Sequence, residues 1–210
     1  LSLIPGSVGA GPIQNIGAYG VEIKDYLLEL EALDIETLKV KTFSNAECSF
    51  GYRESVFKTS LKGKYIITSV TYKLLKKPNL NTSYGAIEKE LEHMGVKDKT
   101  IKAISEAVCN IRNSKLPNPA QIGNAGSFFK NPEIQELEFN ALKEKNPDIV
   151  GYPTDVGRVK VAAGWLIEKC GWKGKTAGDA GVHKNQALVL VNYGNASGHD
   201  ILNLSQQIIE

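Results

Sequence analysis

The spacing of the apolar residues changes partway along the chain, and this change limits the available folds more than any other feature. Ahead of Pro78 the spacing is that of strands, and beyond about Thr100 helical and strand spacings alternate. Tyr26, Leu28, Leu30 and Ala32 alternate with polar residues, which predicts a half-buried strand over 26–33. A turn over 34–37 and a strand over 38–42 follow. Ser44 and Glu47 stand at capping-box spacing, so a short helical turn is expected there. Residues 65–75 are rich in β-branched and aromatic side chains and end at Lys76-Lys77-Pro78. Ile87, Leu91 and Met94 then share one helical face, closed by Gly95. Ile101, Ile104, Val108 and Ile111 repeat the pattern, and Pro117 bars continuation. A strand over 126–129, helices over 133–145 and 160–170, a strand over 187–193 and a helix from about Gly198 complete the prediction. The class is α+β, with a boundary between about Pro78 and Thr100.

The first twenty residues fit neither period. Their five glycines and two prolines exclude a regular helix, and several positions without a Cβ let a ligand approach the backbone closely. The chain opens at Leu1 in an apolar stretch and stops at Glu210 inside an expected helix, so both ends read as cut. Cys48, Cys109 and Cys170 are widely spaced and form no CxxC pair, which argues against a disulfide framework or a metal site. They read as three small buried hydrophobes in a reducing cytoplasm. The sequons at Asn81 and Asn195 would then stay unmodified. A net charge of +2 gives no basic face that calls for nucleic acid. No run of about 18 apolar residues predicts a membrane span, and no signal peptide opens the chain.

Four stretches hold polar residues that packing alone does not demand. Pro5-Gly6-Ser7-Val8-Gly9 through Gln14-Asn15-Ile16-Gly17 can cradle an anion with backbone N–H groups. Phe50-Gly51-Tyr52-Arg53-Glu54-Ser55 sets an arginine beside aromatics, where its planar fork can hold a carboxylate. Asn124-Ala125-Gly126-Ser127-Phe128-Phe129 suggests a hydroxyl at the floor of a closed pocket, able to donate a proton to a carbanion. His183-Lys184-Asn185-Gln186 leads into a strand. Taken singly, each has a plainer reading: a structural turn, a solvated arginine, a structural serine and a satisfied loop histidine.

Taken in order, the stretches are more specific. Ile-Pro-Gly-Ser-Val-Gly, Pro-Ile-Gln-Asn-Ile-Gly-Ala-Tyr-Gly, Phe-Gly-Tyr-Arg-Glu-Ser, Lys-Leu-Pro-Asn-Pro, Gly-Asn-Ala-Gly-Ser-Phe-Phe-Lys-Asn-Pro, Ala-Ala-Gly-Trp-Leu-Ile and Val-His-Lys-Asn-Gln-Ala-Leu-Val-Leu together resemble the MurB family along almost the whole chain. Asn81-Thr82-Ser83-Tyr84-Gly85 looks like the tyrosine-bearing loop of its type I branch. The resemblance implies the C-terminal half of an FAD-binding module of PCMH/VAO type over 1–78. A connector with the Tyr84 loop over 79–100 and a substrate-binding α+β domain over 101–210 would follow.

It also implies a cytoplasmic, monomeric enzyme that uses NADPH and FAD to reduce UDP-N-acetylglucosamine enolpyruvate to UDP-N-acetylmuramate for peptidoglycan synthesis. Arg53 would steady the enolate and Ser127 would protonate C2. Tyr84 and Lys115 would hold the diphosphate, and Asn131, Tyr152 and Gln186 would line the sugar or uridine pocket. Ser7, Val8, Gly9, Gln14, Asn15, Ile16 and Gly17 would lie against the cofactor. The family's FAD pyrophosphate loop and its C-terminal catalytic glutamate have no counterpart in these residues. The fragment is therefore expected to hold FAD weakly and turn over slowly or not at all. Two other readings remain open: a non-catalytic UDP-sugar-binding fragment, and another FAD-linked oxidoreductase of the same superfamily.

Overall fold

The computed structural model describes residues 1–154 and 157–210. They form two compact units, Leu1–Arg112 and Asn113–Glu210. Both mix helices with antiparallel sheets, so the α+β class expected from the sequence holds.

The first unit opens with two short 3-10 turns, Val8–Ala10 and Pro12–Gln14. A tight hairpin of β1 (Gly17–Ala18) and β2 (Val21–Glu22) follows. A three-stranded sheet then has β3 (Leu27–Asp34) between β4 (Val40–Ser44) and β5 (Tyr65–Tyr72). Its core gathers Ile23, Leu27, Leu30, Ala32, Phe43, Cys48 and Phe57. The expected alternation is interrupted: Leu27 and Leu30 are buried, while Leu28 is half exposed. A register shift between Leu27 and Glu29 explains this, because one extra residue moves every later side chain to the opposite face. The second strand begins later than expected. Leu38 has φ +55° and closes the turn instead, exposed to water. Around Ser44 the capping bonds form, with Glu47 accepting from the Ser44 N–H at 2.9 Å and its hydroxyl at 2.8 Å, but the segment remains a turn.

Helices α1 (Ile87–His93) and α2 (Ile101–Lys115) follow. Ile87, Leu91, Ala107, Val108 and Ile111 form their shared core, and Tyr19 packs against it. Gly95, at φ +69°, stands just past the end of α1 where a left-handed residue is favoured.

The second unit contains two sheets. Strand β6 (Gly123–Ser127) is an edge strand of a four-stranded antiparallel sheet. Strand β7 (Glu133–Gln135) leads into helix α3 (Glu136–Lys145), and β8 (Gly151–Pro153) and β9 (Arg158–Val161) complete the order β7-β9-β8. Helix α4 (Ala163–Lys169), strands β10 (Thr176–Ala177), β11 (Ala180–Val182) and β12 (Val189–Asn192), and helix α5 (Gly198–Ile209) close the chain. Two expected helices are therefore shorter than the sequence suggested, since 133–135 and 158–161 pair as strands. In β9, Val159 and Val161 are buried, and strand alternation there overrides the helical reading of 160–162. Gly171, at φ +74°, stops α4 as expected. Ser197 caps α5 in a reciprocal box with Asp200.

The cysteines do not share one environment, contrary to the expectation that all are buried. Cys48 is fully buried, Cys109 partly buried and Cys170 exposed. Desolvation, reinforced by the Glu47 carboxylate, pushes the Cys48 thiol up to about 11. At pH 8 its thiolate is then about one part in a thousand. Iodoacetamide at pH 8 is expected to label Cys170 and spare Cys48, as read by peptide mass spectrometry. Equal labelling in the folded chain would contradict this burial.

Candidate functional site

In the first unit the structure draws three predicted residues into one cluster. Tyr19 at φ +56° and Gly20 at φ +75° form a two-residue turn with both φ values positive, which suits a tight hairpin. The resulting register sets Gly17 opposite Glu22. Arg53 reaches this pair from a second turn, in which Gly51 and Glu54 exchange backbone hydrogen bonds. Its Nη2 donates to the Gly17 carbonyl at 2.6 Å, and its Nη1 is 3.6 Å from Glu22 Oε1. Arg53 itself has φ +55°, a strained choice for a residue with a side chain, and strain of this kind collects at functional sites. Lys58 Nζ donates to its carbonyl oxygen.

Asn15 joins the two turns from beneath and is completely buried. Its Nδ2 donates to Glu22 Oε2 at 3.0 Å and to the Gly51 carbonyl at 2.9 Å, while its Oδ1 accepts from the Lys24 N–H at 3.1 Å. Ser55 adds a second tie, donating to the Ile13 carbonyl at 2.6 Å. The Asn15 side chain, expected against a cofactor, is thus spent inside the protein. Ser7 and Val8 are exposed, and Gly6 at φ +105° has open space where a Cβ would stand. Gln14 is exposed, and Ile16 packs against the sheet core. Tyr84 is half exposed and meets Tyr19 edge to face at 5.8 Å, close to the Gly20 turn.

In the second unit Ser127 is exposed at the end of β6, not at the floor of a closed pocket as the sequence suggested. The edge position explains this. Ser127 pairs with Val189, and the Phe128 N–H donates to the Leu188 carbonyl. Phe129 then packs against the core while Phe128 remains exposed, the two rings 5.2 Å apart edge to face.

Asn131 and Gln186 converge on the start of α4. Asn131 Oδ1 accepts from the Ala163 N–H at 3.0 Å. Gln186 Oε1 lies 3.5 Å from where a Cβ on Gly164 would stand. Tyr152 is half exposed on β8, opposite Lys160 of β9, which pairs with Glu133 at 4.0 Å. Lys115 is exposed at the end of α2. His183 is buried, and desolvation followed by the Lys184 charge pulls its imidazole below the usual value. Its Nδ1 accepts from the Asn185 N–H at 3.4 Å, in keeping with a satisfied loop histidine. Sequence reasoning did not anticipate the Arg53–Glu22 and Lys160–Glu133 ion pairs. Glu22 gave no local signal, because its partner comes from a distant turn. Lys160 lay in a stretch read as helix.

Residues 118–210 match the family model described as UDP-N-acetylenolpyruvoylglucosamine reductase, C-terminal domain. Over 209 residues the chain is 56% identical to the UDP-N-acetylenolpyruvoylglucosamine reductase of Flavobacterium johnsoniae, covering 99% of this chain and 62% of that protein. It is 55% identical over 208 residues to the protein of the same name from Pseudomonas savastanoi pv. phaseolicola, covering 99% and 61%. The crystal structure of UDP-N-acetylenolpyruvylglucosamine reductase (MurB) from Thermus caldophilus shares the fold, with a TM-score of 0.62 at 24% identity over 98% of this chain and 57% of that one. The chain therefore spans about three-fifths of the length of the relatives it matches. These comparisons agree with the resemblance carried by the ordered motifs: almost the whole chain is similar to proteins named UDP-N-acetylenolpyruvoylglucosamine reductase, and residues 118–210 match the model of their C-terminal domain.

Proposed function

We propose that the complete protein carrying this sequence reduces UDP-N-acetylglucosamine enolpyruvate to UDP-N-acetylmuramate in peptidoglycan precursor synthesis, using NADPH and FAD in the cytoplasm. Identity of 56% across 99% of the chain with a reductase of that name carries this reading. Bound against the Gly-rich turns at Ser7, Val8, Gly9, Gln14, Ile16 and Gly17, FAD would supply the hydride chemistry that links NADPH to C3 of the enolpyruvyl group. The open backbone at Gly6 and the exposed Ser7 and Val8 fit the edge of such a cofactor.

The chain's own residues then manage charge and proton. Reduction at C3 leaves negative charge on C2 and the adjoining carboxylate, and the guanidinium of Arg53 steadies it. A preorganised donor at a developing anion is worth about 3–4 kcal/mol. The Ser127 hydroxyl delivers the proton to C2, since an enolate is basic enough to take it. Lys115 and Tyr84 hold the diphosphate, and Asn131, Tyr152 and Gln186 contact the sugar or uridine. In this proposal 1–78 serves the cofactor, 79–100 connects and 101–210 serves the substrate.

NADPH consumption that depends on the enolpyruvyl sugar, measured at 340 nm on the complete protein, tests the reading. Oxidation that instead follows a small alcohol or 2-hydroxy acid would assign it to another flavin-linked oxidoreductase. For the 210-residue chain alone, we expect UDP-N-acetylglucosamine binding with little flavin retained. A stoichiometric flavin spectrum of the purified chain would contradict this expectation.

A further inference from the structure

We infer that Glu22 is a positioning residue for Arg53, a role that rests on the reductase reading for its kinetic consequence. The hairpin register sets Glu22 across from Gly17, and both contacts of the Arg53 fork described above fall on this facing pair. The absence of a side chain at Gly17 makes this possible. A Cβ there would stand 2.8 Å from Glu22 Cγ and 2.9 Å from Arg53 Nη1. Glu22 is in turn anchored: its Oε2 accepts from Asn15 Nδ2 and lies 3.2 Å from Lys24 Nζ, while its N–H donates to Asp25 Oδ2 at 3.0 Å. Asn15 also grips the Gly51 carbonyl at the base of the turn that carries Arg53. The ring from Gly51 through Asn15 and Glu22 to Arg53 therefore closes on itself.

A guanidinium has five N–H donors. Two groups of this protein take one edge of the fork, and the side chain remains 32% exposed. Glu22 fixes the direction in which the other donors point and balances part of the cation's charge while no anion is bound. Glu22 is itself only 26% exposed, so solvent and salt screen the pair less than a surface pair. Its carboxylate acts through Arg53 and has no contact with substrate in this scheme.

Glu22→Gln separates this role from a structural one. The amide keeps the length of the side chain and an oxygen that accepts from Asn15, but removes the charge facing Arg53. In the complete protein kcat is expected to fall about 10- to 100-fold, the scale set by a misplaced catalytic group. KM for the enolpyruvyl sugar should remain within about 2-fold and the unfolding temperature should be essentially unchanged. Glu22→Ala, which also abandons Asn15, should lower the unfolding temperature. Wild-type kinetics in Glu22→Gln together with a destabilised Glu22→Ala would make Glu22 structural and overturn the inference.

A second readout needs no turnover. The Nε–H resonance of Arg53 in a ¹⁵N spectrum should be resolved in the wild type and shift on titration with pyruvate as a carboxylate probe. In Glu22→Gln it should broaden and move toward that of a mobile arginine. Identical resonances in the two proteins would overturn the inference. A wild type that shows this resonance but never consumes NADPH with the enolpyruvyl sugar would instead overturn the reductase reading and leave the positioning of Arg53 standing.

Discussion

Ser127→Ala in the complete protein is expected to leave flavin reduction by NADPH at its wild-type rate and to slow the sugar-reducing half-reaction by about 10²- to 10⁴-fold, the usual worth of a positioned proton donor. The separation follows from chemistry. No proton need reach carbon while the cofactor is being reduced, whereas the enolate left on the sugar needs one at C2. Folding should tolerate the change. Ser127 is exposed at the end of an edge strand, and its ladder bonds run through the backbone, which alanine keeps. Surface substitutions of this kind stay within about 0.5 kcal/mol. Rapid-mixing absorbance, with NADPH and then with the enolpyruvyl sugar, reads the two halves separately. An equal loss in both halves, accompanied by a lower unfolding temperature, would assign Ser127 to the fold and remove it from the chemistry.

Much of the fold was legible because burial imposes a period. The strand at 65–72, the two helices between 87 and 115 and the last helix stand close to where their apolar spacing put them. The misses have local causes. A register shift between Leu27 and Glu29 cannot be seen in a pattern that alternates straight through it. A three-residue strand such as Glu133–Gln135 is too short to show any period and is continuous with a helix. Arg158–Val161 does alternate, yet the Ala-Ala-Gly-Trp-Leu-Ile that follows pulled its second half into the helical reading.

The site was legible as motifs but not as a network. Gly-rich turns and an arginine among aromatics advertise themselves in a one-dimensional string. Their joining does not. Arg53 meets Glu22 only because the Tyr19-Gly20 turn fixes a register that brings Gly17 and Glu22 face to face. The family resemblance set Asn15 against the cofactor, while the plainer reading of its loop was a structural turn; its amide ties Glu22 and Gly51 together. Polar residues in a Gly-rich loop can serve ligand or backbone, and only burial decides which.

Gly151→Ala should be among the most damaging single-methyl additions to the second unit, destabilising it by about 3 kcal/mol, the upper part of the range for overfilled cores. Helix α3 packs onto the β7-β9-β8 sheet by laying Phe139 over Gly151, with Ile149, Val159 and Val161 completing the cluster. A Cβ at 151 would press into the Phe139 ring and stand 2.7 Å from Val159 Cγ1. Neither neighbour can retreat, because Phe139, Val159 and Val161 are all buried. The strand must therefore shift outward, carrying Tyr152, the next residue along β8 and a proposed sugar or uridine contact. Thermal unfolding of the chain and KM for the nucleotide sugar in the complete protein should thus worsen together. Trimming the obstacle is the control. Phe139→Leu alone opens a cavity and costs stability, but Gly151→Ala with Phe139→Leu should cost clearly less than the sum of the two single changes, a coupling of about 1 kcal/mol or more. Strict additivity in that double-mutant cycle would mean that the two residues do not press on one another, and that α3 is held to the sheet elsewhere.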